Sequence, residues 1–440
     1  MKPSFYNVFV ELNNNKKEYI LYNTLTRSAF VVDEQVKNIL ENLDNFDINQ
    51  LEKQVSETFK EAGIIIDDEI DELKIVKVEY DLNRFKSDYV KFVVIPTYEC
   101  NLACPYCYVE REDIANKKMS NEKAEAAINF IKNITNQSKG NELSLTLFGG
   151  EPLANIDGSF FILDSLDQWC KEKNIKFIVR MYSNGTLLTK EIADELLKHN
   201  ISFLQITLAG PKKIHDEKRV FKNGEGTFEK TIDAIKIAIN SKIPLVIAVN
   251  IDKDNKDSME ELLEDLISRG LTGARIMFTP IYTMPHSCAE YEPHCLSFEE
   301  WGEVLPNLQK MALDKGFDVP LDPYLEPFFC WAVVKNSFVI DPFGDIYKCT
   351  SLLEKKHSIG TLENDGKIPK FKWPYYDLMS RDPTSIDACK ACKYLPMCGG
   401  GCPALSYFLH GTFHKQRCVR VKPGFDKKIK VFFEESLTKN

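Results

Sequence analysis

Apolar runs of strand length alternate with amphipathic helical patterns through the middle of the chain. Six apolar runs predict buried strands at residues 92–96, 143–148, 177–182, 203–208, 245–251 and 274–279. Helical patterns separate them at residues 122–133, 160–171, 190–199, 227–240 and 258–268. This alternation predicts an α/β fold of parallel β/α units, arranged as an open sheet or a partial barrel. The functional site is then expected at the carboxyl ends of the strands.

The N-terminal region follows a different pattern, and we assign residues 1–88 to a separate small α+β domain. Three β-type runs, at residues 6–12, 18–25 and 28–32, precede helical patterns at residues 34–43 and 48–62, and a turn is expected at residues 13–15. Residues 1–80 contain 16 acidic and 9 basic side chains. The region is therefore either a solvated acidic accessory domain or a module whose sheet edge captures a peptide by strand addition.

The last third of the chain has few long periodic elements. Residues 286–329 are rich in proline and predict a bridging region with one helix at about residues 298–315. Residues 330–440 contain seven cysteines and end in a predicted helix at residues 427–435. Because this segment cannot bury a large core, we expect metal coordination to stabilise it as a loop-rich C-terminal domain.

Composition narrows the class of protein. The 440 residues are 44% hydrophobic and 28% charged, as in an ordinary folded chain. The first residues lack the apolar segment of a secretory signal, and no run reaches the roughly 18 apolar residues that suggest a membrane helix. We therefore expect a cytoplasmic protein without membrane association. The net charge of −9 argues against general binding to nucleic acid.

The cysteines give the first chemical signal. Three of the 13, Cys100, Cys104 and Cys107, follow the first strand of the β/α series with the spacing C-x3-C-x2-C. In a reducing compartment, clustered cysteines indicate metal ligands. Three thiolates can hold three corners of a [4Fe–4S] cluster and leave the fourth iron open. Structural zinc is the alternative, but it normally needs four protein ligands and no fourth lies nearby in the sequence.

The loop PTYECNLACPYCY resembles the signature of the radical S-adenosylmethionine (SAM) superfamily, with Tyr106 at the usual aromatic position. Similar motifs follow the next strands: LFGGEPL at residues 147–153, YSNGTLL at 182–188 and QITLAGPKKIHDEKR at 205–219. The resemblance covers about residues 90–285 and implies a partial (β/α)6 TIM-like barrel, which we assign to residues 89–285. The SAM contacts that it implies are Tyr106, Gly149, Gly150, Glu151, Ser183, Asn184 and Arg219.

The same resemblance implies roles for individual residues. Glu151 would meet the methionyl amino group of SAM, and Arg219 would meet its carboxylate. The local chemistry agrees, because a glycine pair permits close backbone approach and an arginine can pair bidentately with a carboxylate. One position departs from the pattern: many relatives carry Asp before the Gly-Pro of the fourth-strand motif, where this chain has Ala209.

The C-terminal cysteines resemble the SPASM domain, the auxiliary-cluster extension of peptide-modifying radical SAM enzymes. That resemblance assigns Cys389, Cys392, Cys398 and Cys418 to an outer [4Fe–4S] cluster and Cys330, Cys349 and Cys402 to an inner one. With the SAM cluster, three [4Fe–4S] clusters are expected. Two clusters accept eight thiolates, so the inner one has either an open iron or an extra ligand such as Cys288 or Cys295. A pair of zinc sites around CKAC and CGGGC is the alternative.

The family resemblance implies reductive cleavage of SAM, with an electron donor such as flavodoxin or ferredoxin, and hydrogen abstraction from a substrate. Two groups compete. Anaerobic sulfatase maturases begin near the cluster loop and carry an Asp where this chain has Thr350. Peptide maturases commonly carry a leader-recognition domain of three strands and three helices, similar to the order of elements over residues 6–73, which is winged-helix-like. We therefore expect a maturase of a precursor peptide with a leader. The favoured product is a Cys thioether, and a carbon–carbon link is the next alternative. A non-enzymatic metal-binding scaffold is the alternative from another class.

Overall fold

The computed structural model describes the chain except for residues 13–16, 87, 89, 110–116, 284–287, 322–329, 368–369, 420 and 439–440. The turn expected at residues 13–15 lies outside the described residues. The N-terminal elements are β1 (Lys2–Pro3), β2 (Asn7–Glu11), β3 (Glu18–Asn23), β4 (Ala29–Asp33), α1 (Glu34–Glu41), α2 (Lys53–Glu61), β5 (Ile65–Ile66) and α3 (Glu72–Phe85). The strands β2, β3 and β4 form an antiparallel sheet in that order, and β1 pairs with β5.

The middle of the chain alternates strands and helices as the sequence predicts. Its elements are β6 (Val90–Val94), α4 (Asn121–Gln137), β7 (Glu142–Leu147), α5 (Ile156–Lys173), β8 (Lys176–Ser183), α6 (Lys190–Leu197), β9 (Ile201–Leu208), α7 (Lys212–Lys218), α8 (Phe228–Asn240), β10 (Leu245–Ile251), α9 (Met259–Ser268), β11 (Arg275–Pro280) and α10 (Phe298–Asp314). All six predicted strands are present, and each pairs in parallel with its sequence neighbour.

Three further strands extend this sheet beyond the prediction. The C-terminal elements are β12 (Ser337–Ile340), β13 (Asp345–Tyr347), β14 (Gly360–Thr361), α11 (Trp373–Met379), α12 (Asp387–Lys390), α13 (Leu395–Cys398), α14 (Pro403–His410) and α15 (Phe425–Thr438). The order of the nine-stranded sheet is β11-β10-β9-β8-β7-β6-β12-β13-β14. Strand β12 lies parallel to β6, whereas β13 and β14 are antiparallel additions. The α/β fold class with a partial barrel of six β/α strands is confirmed.

The chain divides into two compact units that are each built from separate segments. The first unit comprises residues 1–84, 321–330 and 381–440, and the second comprises residues 85–320 and 331–380. Residues 331–380 therefore belong to the unit of the large sheet. The functional domains assigned from the sequence, residues 1–88, 89–285, 286–329 and 330–440, stay a proposal.

The first unit has a core shared between the two ends of the chain. One face of the β2-β3-β4 sheet packs on apolar side chains from residues 397–429, and the cluster consists of Val8, Val10, Ile20, Tyr22, Met397, Val421, Phe425 and Ile429. The other face packs against α1 and α2 through a second cluster that includes Leu21, Val32 and Phe59. Across the described residues, none of the helices is long and apolar enough to cross a lipid bilayer.

Candidate functional site

The three-cysteine loop follows β6 at the carboxyl edge of the large sheet. Cys104 is buried, whereas Cys100 and Cys107 are partly exposed. The N–H of Leu102 donates to Cys100 Sγ at 3.4 Å, and the N–H of Cys107 donates to the carbonyl of Cys104 at 3.0 Å. Burial raises the pKa of Cys100 to about 11. A bound metal ion would therefore be needed to hold this thiol in the thiolate form at neutral pH.

Gly149 and Gly150 pack the second motif directly against the base of this loop. The N–H of Gly150 donates to the carbonyl of Thr97 at 3.1 Å. A Cβ on Gly150 would lie 2.4 Å from the carbonyl oxygen of Glu99, and one on Gly149 would lie 2.6 Å from that of Thr97. Gly149 also has φ +135°, a conformation that side chains disfavour. The two glycines thus allow close approach of two loops, and their direct contact with SAM stays a prediction.

The carboxylate of Glu151 connects the second motif to the third. Its Oε1 accepts the hydroxyl hydrogen of Ser183 at 2.9 Å and the N–H of Leu153 at 3.1 Å, and its Oε2 accepts the N–H of Asn184 at 2.7 Å. The side chain is fully buried, and burial raises the pKa of this carboxyl above its ordinary value. The expected meeting of Glu151 with the methionyl amino group stays a prediction.

Asn184 joins the third motif to the cysteine loop. Its Nδ2 lies 3.6 Å from Cys100 Sγ and donates to Asn101 Oδ1 at 2.9 Å. Asn101 in turn donates to the Thr186 hydroxyl at 2.8 Å. Neither Asn101 nor Thr186 is a site residue predicted from the sequence, although both lie inside the predicted motifs. The structure therefore brings Asn184 into contact with the cysteine loop, as the motif order implies, whereas Ser183 contacts Glu151.

Arg219 lies beside the cysteine loop with part of its guanidinium uncommitted. It is 7% exposed, and its Nη1 donates to the Tyr106 hydroxyl at 3.2 Å. Its buried Nε has no hydrogen-bond partner among the described residues. A buried donor without a partner indicates a missing acceptor. Three thiols and an uncommitted guanidinium fit an iron–sulfur cluster together with a cofactor that carries a carboxylate.

A buried charge network lies behind Tyr106 and was missed by the sequence analysis. Lys218 Nζ contacts Asp252 Oδ2 and donates to Asp254 at 3.0 Å and to the Tyr291 hydroxyl at 2.7 Å. Tyr291 donates to Asp252 Oδ2 at 2.6 Å, and its ring meets that of Tyr106 edge-on at 5.5 Å. The only sequence signal was a polar segment, IDKD, directly after the fifth barrel strand. The network fixes the position of the Tyr106 ring.

Asp341 is a second buried group that the sequence analysis missed. It follows β12, the parallel neighbour of the strand that leads into the cysteine loop, and it is 2% exposed. Its Oδ1 accepts the N–H groups of Phe343 and Asp345, and the Tyr98 hydroxyl lies 3.5 Å from its Oδ2. Burial raises the pKa of Asp341 to about 7. This carboxyl can therefore exchange a proton near neutral pH.

The four cysteines of the predicted outer cluster lie together in the first unit. Burial raises the pKa of Cys398 to about 12, and the nearby thiols of Cys418, Cys389 and Cys392 act in the same direction. Tyr6, Val76, Leu395 and Cys389 share a buried cluster. The ligand set predicted from the sequence is thus gathered in one place, and its occupation by an iron–sulfur cluster stays a prediction.

The cysteines of the predicted inner cluster are divided between the two units. Cys330 and Cys402 lie in the first unit, and Cys349 lies in the second. Cys288 and Cys295 also lie in the second unit, where burial and the neighbouring Cys288 thiol raise the pKa of Cys295 to about 11. Whether either serves as an eighth thiolate stays a prediction.

Arg381 is a buried cation of the first unit, and cysteines of that unit from both predicted auxiliary sets act on its pKa. It is 1% exposed, and its guanidinium donates to the carbonyls of Gly400 at 2.6 Å and Lys415 at 3.0 Å. Burial lowers its pKa, while the thiols of Cys389 and Cys402 act in the opposite direction. Gly400 lies between two of the predicted ligands in sequence. The arginine therefore carries positive charge into a region where clustered thiolates would carry negative charge.

Comparisons with known proteins agree with this geometry. The family model of the Radical SAM superfamily matches residues 94–266. A cysteine-type anaerobic sulfatase-maturating enzyme of Clostridium novyi is 25% identical, covering 75% of this chain and 92% of that protein. Mycofactocin maturase MftC of Mycolicibacterium smegmatis is 24% identical, covering 71% and 77%. The crystal structure of Streptococcus suis SuiB bound to precursor peptide SuiA has a TM-score of 0.55 at 16% identity, covering 96% of this chain and 100% of that one.

Proposed function

We propose that this protein modifies a ribosomally made precursor peptide by installing a cross-link, with a Cys thioether as the favoured product. The chain contains a radical SAM domain and is homologous to anaerobic sulfatase maturases and to mycofactocin maturase. The observation that carries the proposal is the N-terminal module. Among the described residues, no strand pairs with the outer edge of its sheet, and the module shares its core with the segment that bears the outer cysteine set.

Radical chemistry is assigned to the carboxyl edge of the large sheet. A bound [4Fe–4S] cluster would supply the electron for reductive cleavage of SAM, and the resulting radical would abstract hydrogen from the substrate. A flavodoxin or ferredoxin would be the electron donor. Cys100, Cys104 and Cys107 would hold the cluster. Arg219, with its uncommitted Nε, would bind the carboxylate of SAM, and Tyr106 would hold the guanidinium in place.

Two auxiliary clusters are proposed for the cysteines that follow residue 329. Cys389, Cys392, Cys398 and Cys418 would hold the outer cluster, since they lie together within the first unit. Cys330, Cys349 and Cys402 would hold the inner one and leave one iron open for a substrate thiolate. Together with the SAM cluster, the holoenzyme would contain about twelve irons.

The edge of β4 is the proposed binding site for the leader peptide. The Asn23 N–H donates to the carbonyl of Ser28 at 2.9 Å, next to the β3–β4 ladder. Because hydrogen-bonded pairs recur at every second residue of an antiparallel ladder, Phe30 and Val32 bond to β3, and the N–H of Val31 points to the free edge. Val31 is 50% exposed, and no strand pairs with this edge in the described part of the chain. A leader added here would gain backbone hydrogen bonds.

The radical site is tested by replacing Cys100, Cys104 and Cys107 together with Ala. The variant should lose about four of about twelve irons and all reductive SAM cleavage, because these three thiols would hold the cluster that binds SAM beside Arg219. Iron analysis and 5′-deoxyadenosine formation with dithionite, both under anaerobic conditions, measure the two effects. Cys170→Ala, which removes a buried thiol from α5, is the control. Persistent cleavage in the triple variant would show that the loop is not the SAM site.

The leader site is tested by Val31→Pro, with Val31→Thr as the matched control. Proline removes the outward N–H and leaves the bonds between β3 and β4 intact, whereas threonine keeps the N–H. We expect Val31→Pro to bind the precursor at least tenfold more weakly and to modify it correspondingly slowly, with unchanged SAM cleavage in the absence of peptide. Equal precursor binding by both variants would exclude β4 as the leader site.

Sulfatase maturation is the second candidate, since the Clostridium novyi relative aligns over 92% of its own length. Product analysis separates the two functions. A thioether retains the substrate sulfur and loses two hydrogen atoms, whereas formylglycine formation from Cys loses the sulfur. Mass spectrometry of a sulfatase-type Cys peptide and of a Cys-containing precursor, each incubated with the holoenzyme and SAM, would therefore identify the reaction. Formylglycine as the only product would replace the cross-linking proposal.

A further inference from the structure

A cluster of one histidine and three carboxylates lies on the helical layer of the second unit. Asp164 is at the middle of α5, Asp167 is one turn later, Glu195 is in α6, and His199 follows α6 just before β9 begins. Since His199 immediately precedes the amino end of a strand, the cluster lies at the edge of the sheet opposite the cysteine loop. It is separate from the candidate radical site of the same unit.

The geometry of three of these side chains suits a metal ion. One ligand atom from each of Asp164, Glu195 and His199 can be chosen so that all three lie within 4.8 Å of one another. His199 Nε2 is 3.2 Å from Asp164 Oδ1. An ion bonded at about 2.0–2.2 Å brings neighbouring ligand atoms to separations of roughly 3 Å or slightly more. His199 and Asp164 are therefore already at this separation, and a ligand atom of Glu195 lies within 4.8 Å of both.

The histidine supplies an independent indication. His199 is only 3% exposed, and neither ring nitrogen makes a hydrogen bond with proper geometry within the described chain. Buried imidazole nitrogens normally have a partner. Its Nε2 lies 3.2 Å from Asp164 Oδ1, a carboxylate oxygen of the cluster, so the unsatisfied atom points into the cluster. A cation at this position would satisfy it.

The other ring nitrogen faces a carboxylate of its own. His199 Nδ1 is 3.5 Å from Asp167 Oδ2, and the Asp167 side chain is 13% exposed. A histidine that ligates a metal through one nitrogen commonly directs the other toward a carboxylate, which fixes the ring and its tautomer. Lys171 contacts Asp167 at 2.7 Å and holds that carboxylate in place. Asp167 would thus orient His199, and His199 would in turn bind the ion through Nε2.

We propose that Asp164, Glu195 and His199 form a binding site for a divalent first-row transition-metal ion that connects α5 to α6. One imidazole and two carboxylates suit Mn²⁺, Fe²⁺ or Zn²⁺. The remaining coordination positions belong to water, because Asp164 is largely exposed. Lys198, which contacts Glu195 at 2.6 Å, is displaced when the ion binds. Since this ion neutralises the carboxylates on two adjacent helices, it stabilises this layer of the second unit.

Mn²⁺ is the suitable probe, because it prefers oxygen and imidazole ligands to the thiolates that would capture zinc. Full-length reconstituted protein is titrated anaerobically with MnCl₂, and free Mn²⁺ is followed by electron paramagnetic resonance at room temperature. We expect one binding event in the wild type that is weakened at least tenfold in both Asp164→Asn and His199→Gln. His410→Gln, an exposed histidine at the end of α14, is the control and should bind as the wild type does.

Thermal unfolding supplies a second measurement. Mn²⁺ should raise the unfolding midpoint of the wild type and of His410→Gln, and it should not raise that of Asp164→Asn. Asp164 is exposed, so this variant should fold even if His199→Gln does not. The proposal is overturned if wild type and Asp164→Asn take up Mn²⁺ equally, or if neither takes it up. In either case the cluster would be only a buried histidine with ion-pair contacts to its neighbouring carboxylates.

Discussion

At the scale of single residues, Arg381 is the clearest case of a charge whose environment decides its role. Its side chain is 1% exposed and donates to two backbone carbonyls, those of Gly400 and Lys415. Arg84 Nη1 donates to the carbonyl of Arg381 at 2.8 Å, so α3 contributes to the same site. A buried cation costs free energy unless anionic groups compensate it. Two sets of cluster thiolates would provide that compensation.

We therefore predict that Arg381→Met lowers the reduction potentials of the auxiliary clusters. Without the nearby positive charge, a cluster accepts an added electron less readily. The two carbonyls that lose their donor should also lower the free energy of unfolding of the first unit by about 1–3 kcal/mol each. Redox titration followed by low-temperature electron paramagnetic resonance measures the shift. Arg381→Lys should restore part of it, and Arg275→Met, a half-exposed arginine of the second unit, should have no effect. Unchanged potentials in Arg381→Met would contradict this role.

Candidate site residues could be proposed from short motifs, but the hydrogen-bond partners of these residues could not. The spacing of Cys100, Cys104 and Cys107 was sufficient to indicate cluster ligation. By contrast, the bonds of Glu151 to Ser183 and Asn184 depend on how two loops from adjacent strands meet. The network around Tyr291 joins residues 73 positions apart in sequence. No local pattern specifies such contacts, because they arise only when the sheet forms.

At the scale of elements, the contact between the second motif and the cysteine loop is tight enough to be tested by one methyl group. We predict that Gly150→Ala displaces the loop, since its Cβ would lie 2.4 Å from the Glu99 carbonyl oxygen and 2.5 Å from that of Tyr98. Overpacking of this kind costs on the order of 1–3 kcal/mol. About four irons and most SAM cleavage should be lost, with the other clusters retained.

Gly273→Ala is the matched control for this prediction. A Cβ at Gly273 meets nothing within 4 Å in the described part of the chain. Its iron content and SAM cleavage should equal those of the wild type. Normal cleavage by Gly150→Ala would show that the loop can shift without harm, and the glycine pair would then serve only the turn.

The six barrel strands were predictable because each is a long apolar run between helical patterns. The strand β12 was not, since its four residues are too short to register as a β/α unit. It nevertheless pairs with β6 over Ser337↔Lys91 to Ile340↔Val94 and covers the edge that leads into the cysteine loop. Long-range pairing, rather than local propensity, places it there.

At the scale of the whole molecule, the shared core of the first unit changes what a truncation would do. Deletion of residues 1–85 would remove Val8, Val10, Ile20 and Tyr22 from their apolar contacts with residues 397–429. We therefore predict that the truncated protein keeps about four irons and SAM cleavage, and loses about eight irons. Iron analysis and 5′-deoxyadenosine formation measure the two effects. Retention of about twelve irons would show that residues 381–440 fold without the module.

Because the first unit is built from distant segments of the chain, its folding depends on the order in which these segments are synthesised. Residues 1–84 are synthesised long before the side chains that cover one face of their sheet, Met397, Val421, Phe425 and Ile429. Closing such a sequence separation costs entropy and slows folding. The apolar face of the hairpin sheet must therefore remain uncovered until residues 397–429 have been synthesised, and intermediates of large proteins are prone to aggregate. Chaperone binding to the nascent N-terminal segment, and poor yield of chains truncated near their C-terminus, follow directly.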